Sequence, residues 1–231
     1  MTLYTQPSNF WRTVVTSDWT MEHNGVPFGP IIPITYTLRG WYSILQQATP
    51  GCNSPAGASW NWWQGSSANT ITCSGSGLGL RQGAPASPRV TLASSPIAYD
   101  QDNVQVRAHV HFDGPNSQAY ATFVLHSPAD ASQCGGDIFE LRPTGEVRWT
   151  FTRSDCSHTN FVTYSFSPAQ DYDVLVQGLH GGPDCISING GTGVCPGAWS
   201  TYGVPAFTVV DPVASGAGVY FSNFSLDQYG W

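Results

Sequence analysis

The sequence predicts an all-β fold, an antiparallel two-sheet β-sandwich with a loop-rich N-terminal portion. Glycine and proline are frequent, at 25 and 17 of 231 residues, which favours many turns. Aromatic residues make up 13% of the chain and charged residues only 10%, a mixture typical of short strands joined by turns. The third observation is an alternation of apolar and polar residues in the second half of the chain. No helical periodicity extends beyond two turns.

Regular strand patterns occupy residues 97–231. In the segment 104–112, apolar residues alternate with polar ones, so Arg107, His109 and His111 share one face of a sheet. Turn residues at 113–116 predict a hairpin to the next strand, and Pro143-Thr144-Gly145 predicts a second hairpin. Strands are predicted over 104–112, 119–126, 138–142, 146–151, 160–166, 173–179, 186–189 and 218–227.

Residues 1–96 have a different texture, irregular, aromatic and rich in Pro, Gly and Ser. The stretch 74–96 has the composition of a linker, although its apolar residues also allow short strands. These residues are Leu78, Leu80, Val90 and Leu92. We therefore expect one domain over residues 1–231, with a loop-rich extension as its first part.

The six cysteines predict disulfides. Their number is even and they form no CxxC pairs, which disfavours a zinc site. Pairing of neighbours is the simplest of many arrangements, and each bond would contribute about 2–4 kcal/mol. Disulfides imply an oxidising, extracellular location, although residues 1–9 lack the features of a signal peptide. Reduced cysteines in a cytosolic protein are the alternative. The neighbour pairs are Cys52–Cys73, Cys134–Cys156 and Cys185–Cys195.

Charge excludes some partners. The formal net charge is −7 and no basic stripe is present, so nucleic acid and anionic membrane surfaces are not expected partners. No apolar run approaches the ~20 residues needed to span a membrane, so membrane insertion is not expected.

The order of elements after Ile97 resembles a known fold family. The strand VQVRAHVHF is followed by AYATFVLH, the hairpin DIFELRPTGEVRWTF, the strand YDVLVQGL, the short CISING and a closing GVYFSNFSL. The close from Gly218 to Phe224 is the most specific part, and residues 18–24 look like an opening strand. This pattern resembles the concanavalin A-like or laminin-G-like jelly roll. The resemblance implies a carbohydrate ligand, because that family contains lectins, binding modules, glycoside hydrolases and polysaccharide lyases.

A tryptophan-rich segment is the first candidate ligand site. Aromatic planes beside amide groups suit the apolar faces of sugar rings. Three tryptophans in four residues cannot all enter one core from a strand, so at least one is expected at the surface. The alternative is a packed cluster under the Cys52–Cys73 loop. The candidate residues are Trp41, Tyr42, Trp60, Trp62 and Trp63.

The polar stripe of Arg107, His109 and His111 is the second candidate site. Residues of adjacent strands, Glu140 above all, would extend it into a cleft able to bind a glycan. The same residues, His109, His111 and Glu140, are the candidates for catalysis. The predicted hairpin register places His126 opposite Gln105, far from His111, which disfavours a three-histidine metal site. An ordinary solvated sheet face is the alternative.

No cofactor is expected, and a structural calcium ion is the one candidate that the sequence offers. Asp100 and Asp102 precede a predicted strand and Asp227 follows another, and carboxylate oxygens are calcium ligands. Ordinary turn residues are the favoured alternative.

Three functions stay open from the sequence. The leading hypothesis is an extracellular carbohydrate- or polysaccharide-binding sandwich, with a glycan as partner. A polysaccharide-active enzyme on the same fold is the second, weakened because most acidic residues lie in turns. A structural coat, fibre or decoration subunit is the third, motivated by a neutral aromatic surface suited to assembly.

Overall fold

The computed structural model describes residues 2–4, 13–23, 26–38, 40–52, 59–74, 77–94, 103–114, 118–127, 130–133, 136–152, 158–178, 184–197 and 203–230. Across these ranges the chain forms strands and turns and contains no helix. It divides into two compact units, residues 1–42 with 228–231, and residues 43–227. The all-β prediction is confirmed. The assignment of residues 1–231 to one domain stays a prediction.

The first unit contains a three-stranded antiparallel sheet. Its strands are β1 (Thr2–Tyr4), β2 (Thr13–His23) and β3 (Val26–Leu38), in the order β1-β2-β3. β2 pairs with both neighbours, so that Val15 lies opposite Leu3 on one side and Tyr36 on the other. The predicted opening strand at 18–24 falls within β2 up to His23.

The remaining strands form two larger sheets. In chain order they are β4 (Gly40–Gln47), β5 (Ser59–Trp63), β6 (Thr70–Ser74), β7 (Gly77–Arg81), β8 (Arg89–Ser94), β9 (Val104–Phe112), β10 (Tyr120–Ser127), β11 (Gly136–Leu141), β12 (Glu146–Thr152), β13 (His158–Ser165), β14 (Asp171–Gly178), β15 (Asp184–Ile188), β16 (Val194–Gly197), β17 (Val204–Val210) and β18 (Gly218–Gly230). One sheet has seven strands in the order β13-β12-β11-β10-β17-β8-β5. The other has eight, in the order β16-β15-β14-β9-β18-β7-β6, with β4 pairing β18.

Aromatic side chains fill the space between the two larger sheets. Phe123 and Phe207 of the seven-stranded sheet lie with ring centroids 5.5 and 4.8 Å from Phe221 of the eight-stranded sheet. Trp60 packs against Phe207 and Phe224, at 5.8 and 5.5 Å. These offset and edge-on contacts lie in the preferred range for aromatic pairs. The two sheets therefore pack face to face as a β-sandwich.

Several predicted strands are present with nearly the predicted bounds. β9 covers Val104–Phe112, and its buried residues alternate as the sequence predicts, except that Gln105 is also buried. β11 and β12 form the predicted hairpin, in which Arg142 donates its N–H to the Glu146 carbonyl at 2.9 Å. Gly145 has a φ of +79°, a conformation that glycine adopts without strain.

The hairpin predicted between residues 104–112 and 119–126 is wrong. β9 lies in the eight-stranded sheet and pairs with β14, whereas β10 lies in the seven-stranded sheet between β11 and β17. Asp113 marks the crossing, because its carboxylate accepts a hydrogen bond from Gly218 N at 3.0 Å and pairs with Arg81 at 2.6 Å. These contacts bind the end of β9 to β18 and β7. Gln105 consequently lies opposite Gln177, not His126.

The segment predicted to be irregular, residues 1–96, contains strands β1–β8. The short strands allowed for residues 74–96 are β7 and β8, and their leucines and Val90 are fully buried or nearly so. Five of these strands, β1 and β5–β8, have at most six residues, and β5 also carries consecutive tryptophans. Strands this short show little alternation of apolar and polar residues.

Two of the three predicted disulfides are present, Cys52–Cys73 and Cys185–Cys195. Cys134 and Cys156 lie outside the described residues. In the part of the chain that the structure describes, no helix has the length and apolar character required to cross a membrane.

Candidate functional site

A row of polar and aromatic residues crosses the outer face of the seven-stranded sheet. The strand registers place Trp63 opposite Arg89, Arg89 opposite Thr208, and so on across six strands from β5 to β12. Phe123 follows Thr122 and Phe207 precedes Thr208, and both phenylalanines point into the core. Because side chains alternate along a strand, the two threonines and the residues level with them point away from the core. We call this set the cross-sheet row: Trp63, Arg89, Thr208, Thr122, Glu140 and Arg148.

A groove follows most of this row. It has a volume of about 330 Å³ and is lined by Trp63, Arg89, Thr208, Thr122 and Glu140, with residues 85–87 as one wall. This size lies at the lower end of the range of ligand pockets. We call it the Trp63 groove.

The Trp63 ring is held in place at one end of the groove. Gly65 has a φ of +71°, and a Cβ atom at that position would lie 3.1 Å from the Trp63 ring and 3.1 Å from the Ala86 side chain. Only glycine fits this space without moving one of them. The close approach restricts the plane of the ring, which is the property that stacking on a sugar requires.

A buried asparagine shapes the wall beside Trp63. The Asn69 side chain is 1% exposed, and its Oδ1 accepts hydrogen bonds from Gly83 N at 2.9 Å and Ala84 N at 3.1 Å. Its amide group donates to the carbonyls of Gln64, at 2.7 Å, and Ala86. One side chain therefore connects the loop after β5 to the loop between β7 and β8.

A second buried amide supports the same wall from the other side. Gln82 donates from Nε2 to the carbonyls of Ala84 and Pro85, at 2.7 and 3.0 Å. Its Oε1 accepts from Asp211 N at 2.7 Å and from the Ser87 hydroxyl at 3.2 Å. The wall is therefore fixed by side-chain hydrogen bonds, and its shape does not depend on a bound ligand.

The middle of the groove presents hydroxyl oxygens. Thr208 donates its hydroxyl to the Pro88 carbonyl at 2.6 Å, and Thr122 donates to the Thr208 carbonyl at 3.2 Å. Because both hydroxyl protons are used, the oxygens can act only as acceptors towards a ligand. Beside them Arg89 donates to the Gln133 carbonyl, and burial lowers its pKa from the usual value.

Glu140 forms the far end of the groove. Its side chain is buried, and the Thr150 hydroxyl lies 3.5 Å from Oε1. Burial raises the pKa of Glu140 above its usual value, while Arg148 and Arg142 act against that rise. Beside it Arg142 lies over the Tyr120 ring, 4.9 Å from the centroid. Burial, with a smaller effect of Glu140, raises the pKa of Tyr120 to about 12, so that phenol is neutral.

The predicted polar stripe lies on the other sheet. Arg107, His109 and His111 share the outer face of β9, where the two histidines lie opposite aspartates of β14 and Arg107 lies opposite Leu175. His109 Nδ1 lies 2.9 Å from Asp173 Oδ1, and His111 Nδ1 lies 2.8 Å from Asp171 Oδ1. The predicted extension of this stripe by Glu140 and other residues of adjacent strands is wrong, because β9 lies in one sheet and β10 and β11 lie in the other.

The carboxylates suggested for metal binding are placed differently. Asp227 accepts a hydrogen bond from Gln105 at 2.8 Å and lies 3.5 Å from Arg107 Nε. Asp100 and Asp102 fall outside the described residues. Among the residues that are described, no group of three or more His, Cys, Asp or Glu side chains is arranged to hold a metal ion. The calcium site stays a prediction.

The predicted aromatic site is divided between three environments. Trp60 is 5% exposed in the core, where its Nε1 donates to Gln47 Oε1 at 2.9 Å, so its ring is not available to a ligand. Trp62 lies at the sheet edge, 49% exposed, and donates to the Gly51 carbonyl at 2.5 Å. Trp63 lines the groove. The backbones of Trp41 and Tyr42 belong to β4, and their side chains are outside the described set.

Arg89 and Thr208 were not identified from the sequence as site residues. Each lies in a different strand, and only the pairing of β8, β17 and β10 brings them beside Thr122. No spacing within a single segment signals that arrangement.

Comparison with known proteins identifies the fold. No family model and no curated protein sequence matches the chain. Among solved structures it is similar to the carbohydrate binding module CBM66 from Bacillus subtilis, with a TM-score of 0.55 and 13% identity over 72% of this chain and 95% of that one. It is also similar to the binding domain of botulinum neurotoxin serotype D, with a TM-score of 0.50 and 10% identity. That match covers 80% of this chain and 48% of the binding-domain chain. At these identities the similarity shows a β-sandwich, and the narrower concanavalin A-like assignment stays a prediction.

Proposed function

We propose that this protein is an extracellular carbohydrate-binding β-sandwich and that the glycan lies in the Trp63 groove. The observation that carries the proposal is the cross-sheet row, which joins one restrained tryptophan ring to hydroxyl and carboxyl acceptors on neighbouring strands. A sugar presents an apolar face and a rim of hydroxyl donors, and the groove offers a partner for each.

Two further observations support the proposal. The sandwich resembles a structure whose name identifies it as a carbohydrate-binding module. The disulfide bonds Cys52–Cys73 and Cys185–Cys195 are typical of proteins in oxidising compartments. The outside of the cell is such a compartment, and polysaccharides are found there.

Affinity electrophoresis through a panel of neutral, uronic and amino polysaccharides tests the proposal. We expect the wild type to be retarded by at least one of them, and Trp63→Ala to lose at least tenfold in affinity while keeping its free energy of unfolding. Trp62→Ala is the matched control, because this ring lies outside the residues that line the groove. The proposal would be contradicted if Trp63→Ala were retarded as strongly as the wild type, or if no polysaccharide retarded the wild type.

A polysaccharide-active enzyme is the second candidate. The observation in its favour is Glu140, a buried groove carboxyl whose raised pKa suits a general acid. Release of reducing ends from the same panel, abolished by Glu140→Gln, would establish this function.

A further inference from the structure

We propose that Glu140 determines which glycan the groove accepts, by binding two adjacent hydroxyls of an uncharged sugar unit at the end of the groove opposite Trp63. This inference rests on the proposed function. It adds the class of ligand and the residue that selects it.

The hydrogen bonding of Glu140 indicates that its carboxylate can accept further donors. Its side chain is only 6% exposed, yet it lines the groove. The hydrogen bond shown for it within the described residues is the 3.5 Å contact with Thr150, at the limit of a hydrogen bond. A carboxylate has about four acceptor sites, and a buried one normally has at least one well-formed hydrogen bond. Two adjacent sugar hydroxyls supply two donors at a spacing that one carboxylate accepts.

The charges around Glu140 favour an uncharged sugar. Arg148 lies opposite it in the β11–β12 pair, and Arg142 follows β11. Both arginines also contact Glu146, with Nε–Oε1 distances of 2.5 Å from Arg148 and 3.5 Å from Arg142. Two arginines and two carboxylates therefore balance at this end of the groove, and Tyr120 beside them is neutral. Neither a uronate nor an amino sugar would find an uncompensated opposite charge here.

The length of the row indicates an oligosaccharide. Trp63 on β5 and Glu140 on β11 are four strand spacings apart, roughly 19 Å at about 4.8 Å per strand. One sugar unit cannot contact both residues. A chain lying across the strands would stack on Trp63 and pass the Thr208 and Thr122 oxygens before reaching Glu140.

A pH dependence follows from this role. Only the ionised carboxylate accepts from both hydroxyls, and burial raises the pKa of Glu140. The groups facing it are Arg148 and Glu146 of β12, Arg142 at the end of β11, and Tyr120 of β10. Of these, the arginines and the phenol keep one protonation state through the weakly acidic range. Glycan affinity should therefore fall as the pH is lowered through the raised pKa of Glu140.

The test compares the wild type with Glu140→Gln and Trp63→Ala by isothermal titration calorimetry, with neutral, uronic and amino oligosaccharides at several pH values. We expect the wild type to prefer a neutral ligand and to weaken in acid. Glu140→Gln should lose at least tenfold in affinity and should lose that pH dependence. Trp63→Ala should weaken while keeping both the preference and the pH dependence. Glu140→Asp, which keeps the charge, should keep the pH dependence at reduced affinity and is the readout if Glu140→Gln does not fold.

The outcomes separate this inference from the proposed function. Wild-type affinity in Glu140→Gln, a preference for uronic or amino ligands, or release of reducing ends would overturn the role of Glu140 while glycan recognition stands. If the wild type binds no member of the panel, the proposed function fails and this inference fails with it.

Discussion

His111 Nδ1 and Asp171 Oδ1 lie 2.8 Å apart between β9 and β14, and the same carboxylate oxygen lies 3.3 Å from His109 Nε2. One aspartate therefore contacts two histidines on the outer face of the eight-stranded sheet. The hydrogen bond with His111 is the main cause of the lowered pKa of Asp171, and burial opposes it. We therefore expect the stability of the protein to depend on pH through this contact.

The first prediction concerns acid stability. Because the folded state lowers the pKa of Asp171, its ionised form stabilises the protein above the ordinary aspartate range near pH ~4. That contribution is lost as the pH falls through the lowered value. We expect Asp171→Asn to reduce the free energy of unfolding at pH 6 by up to about 1 kcal/mol, since the side chain is 56% exposed. In urea unfolding, the difference from wild type should vanish near pH ~2. A pH-independent difference would contradict this account.

The second prediction separates two neighbouring tryptophans. Trp60 is buried against Phe207 and Phe224, so Trp60→Ala should reduce the free energy of unfolding by about 3–5 kcal/mol. Trp63→Ala, on the opposite face of β5, should cost far less. Urea denaturation followed by circular dichroism measures both. Equal losses for the two variants would contradict the assignment of Trp60 to the core and Trp63 to the groove.

The third prediction concerns the β11–β12 turn. A Cβ atom at Gly145 would overlap the Phe166 carbonyl, and that residue donates its N–H to the Gly145 carbonyl at 2.6 Å. Gly190 has a similar positive φ of +69° with no atom near its Cβ position, which makes it a matched control. Gly190→Ala should cost about 1–2 kcal/mol from backbone conformation alone. Gly145→Ala should cost at least about 1 kcal/mol more because of the overlap. Similar thermal midpoints for the two variants would count against the close approach.

The fourth prediction concerns the groove wall. Asn69→Ala leaves two part-buried N–H groups and two carbonyls without their partner, and an unpaired group costs up to about 1–3 kcal/mol when it is buried. We expect a loss of several kcal/mol in the free energy of unfolding, with weakened glycan binding even where the variant remains folded. Ser67→Ala, at an exposed position in the same loop between β5 and β6, is the control and should leave stability nearly unchanged. A folded Asn69→Ala variant with wild-type affinity would show that the wall does not shape the site.

The sequence predicts those elements whose signal is local. The alternation in Val104–Phe112 identifies β9, and Gly145 identifies the β11–β12 turn. β17 carries no such signal, because residues Val204 to Val209 are all buried and Thr208 is the only polar residue of the strand. The turn residues after Phe112 are compatible both with a hairpin and with a crossing between sheets. Only the pairing of Asp113 with Arg81 and Gly218 distinguishes the two.

The same distinction explains the candidate site. Glu140 and Trp63 are identifiable as candidates by residue type, but their partnership depends on three strands that lie between them. The stripe of Arg107, His109 and His111 is predicted correctly within β9, since one strand contains it. A site assembled from side chains of five strands has no regular spacing of its residues in the sequence.

β17 and β18 each lie in the middle of a sheet. β17 separates β10 from β8, and β18 separates β9 from β7, so each sheet joins early and late parts of the chain through one of these strands. During synthesis, β8 and β7 can pair early with β5 and β6, but their second partners, β17 and β18, emerge only after more than 100 further residues. Two incomplete sheets with open edges must therefore persist until then, a state prone to association with other chains. Such distant pairing also predicts slow folding, on the order of milliseconds to seconds. Removal of residues 204–230 should leave a chain that cannot close either sheet, rather than a smaller stable domain.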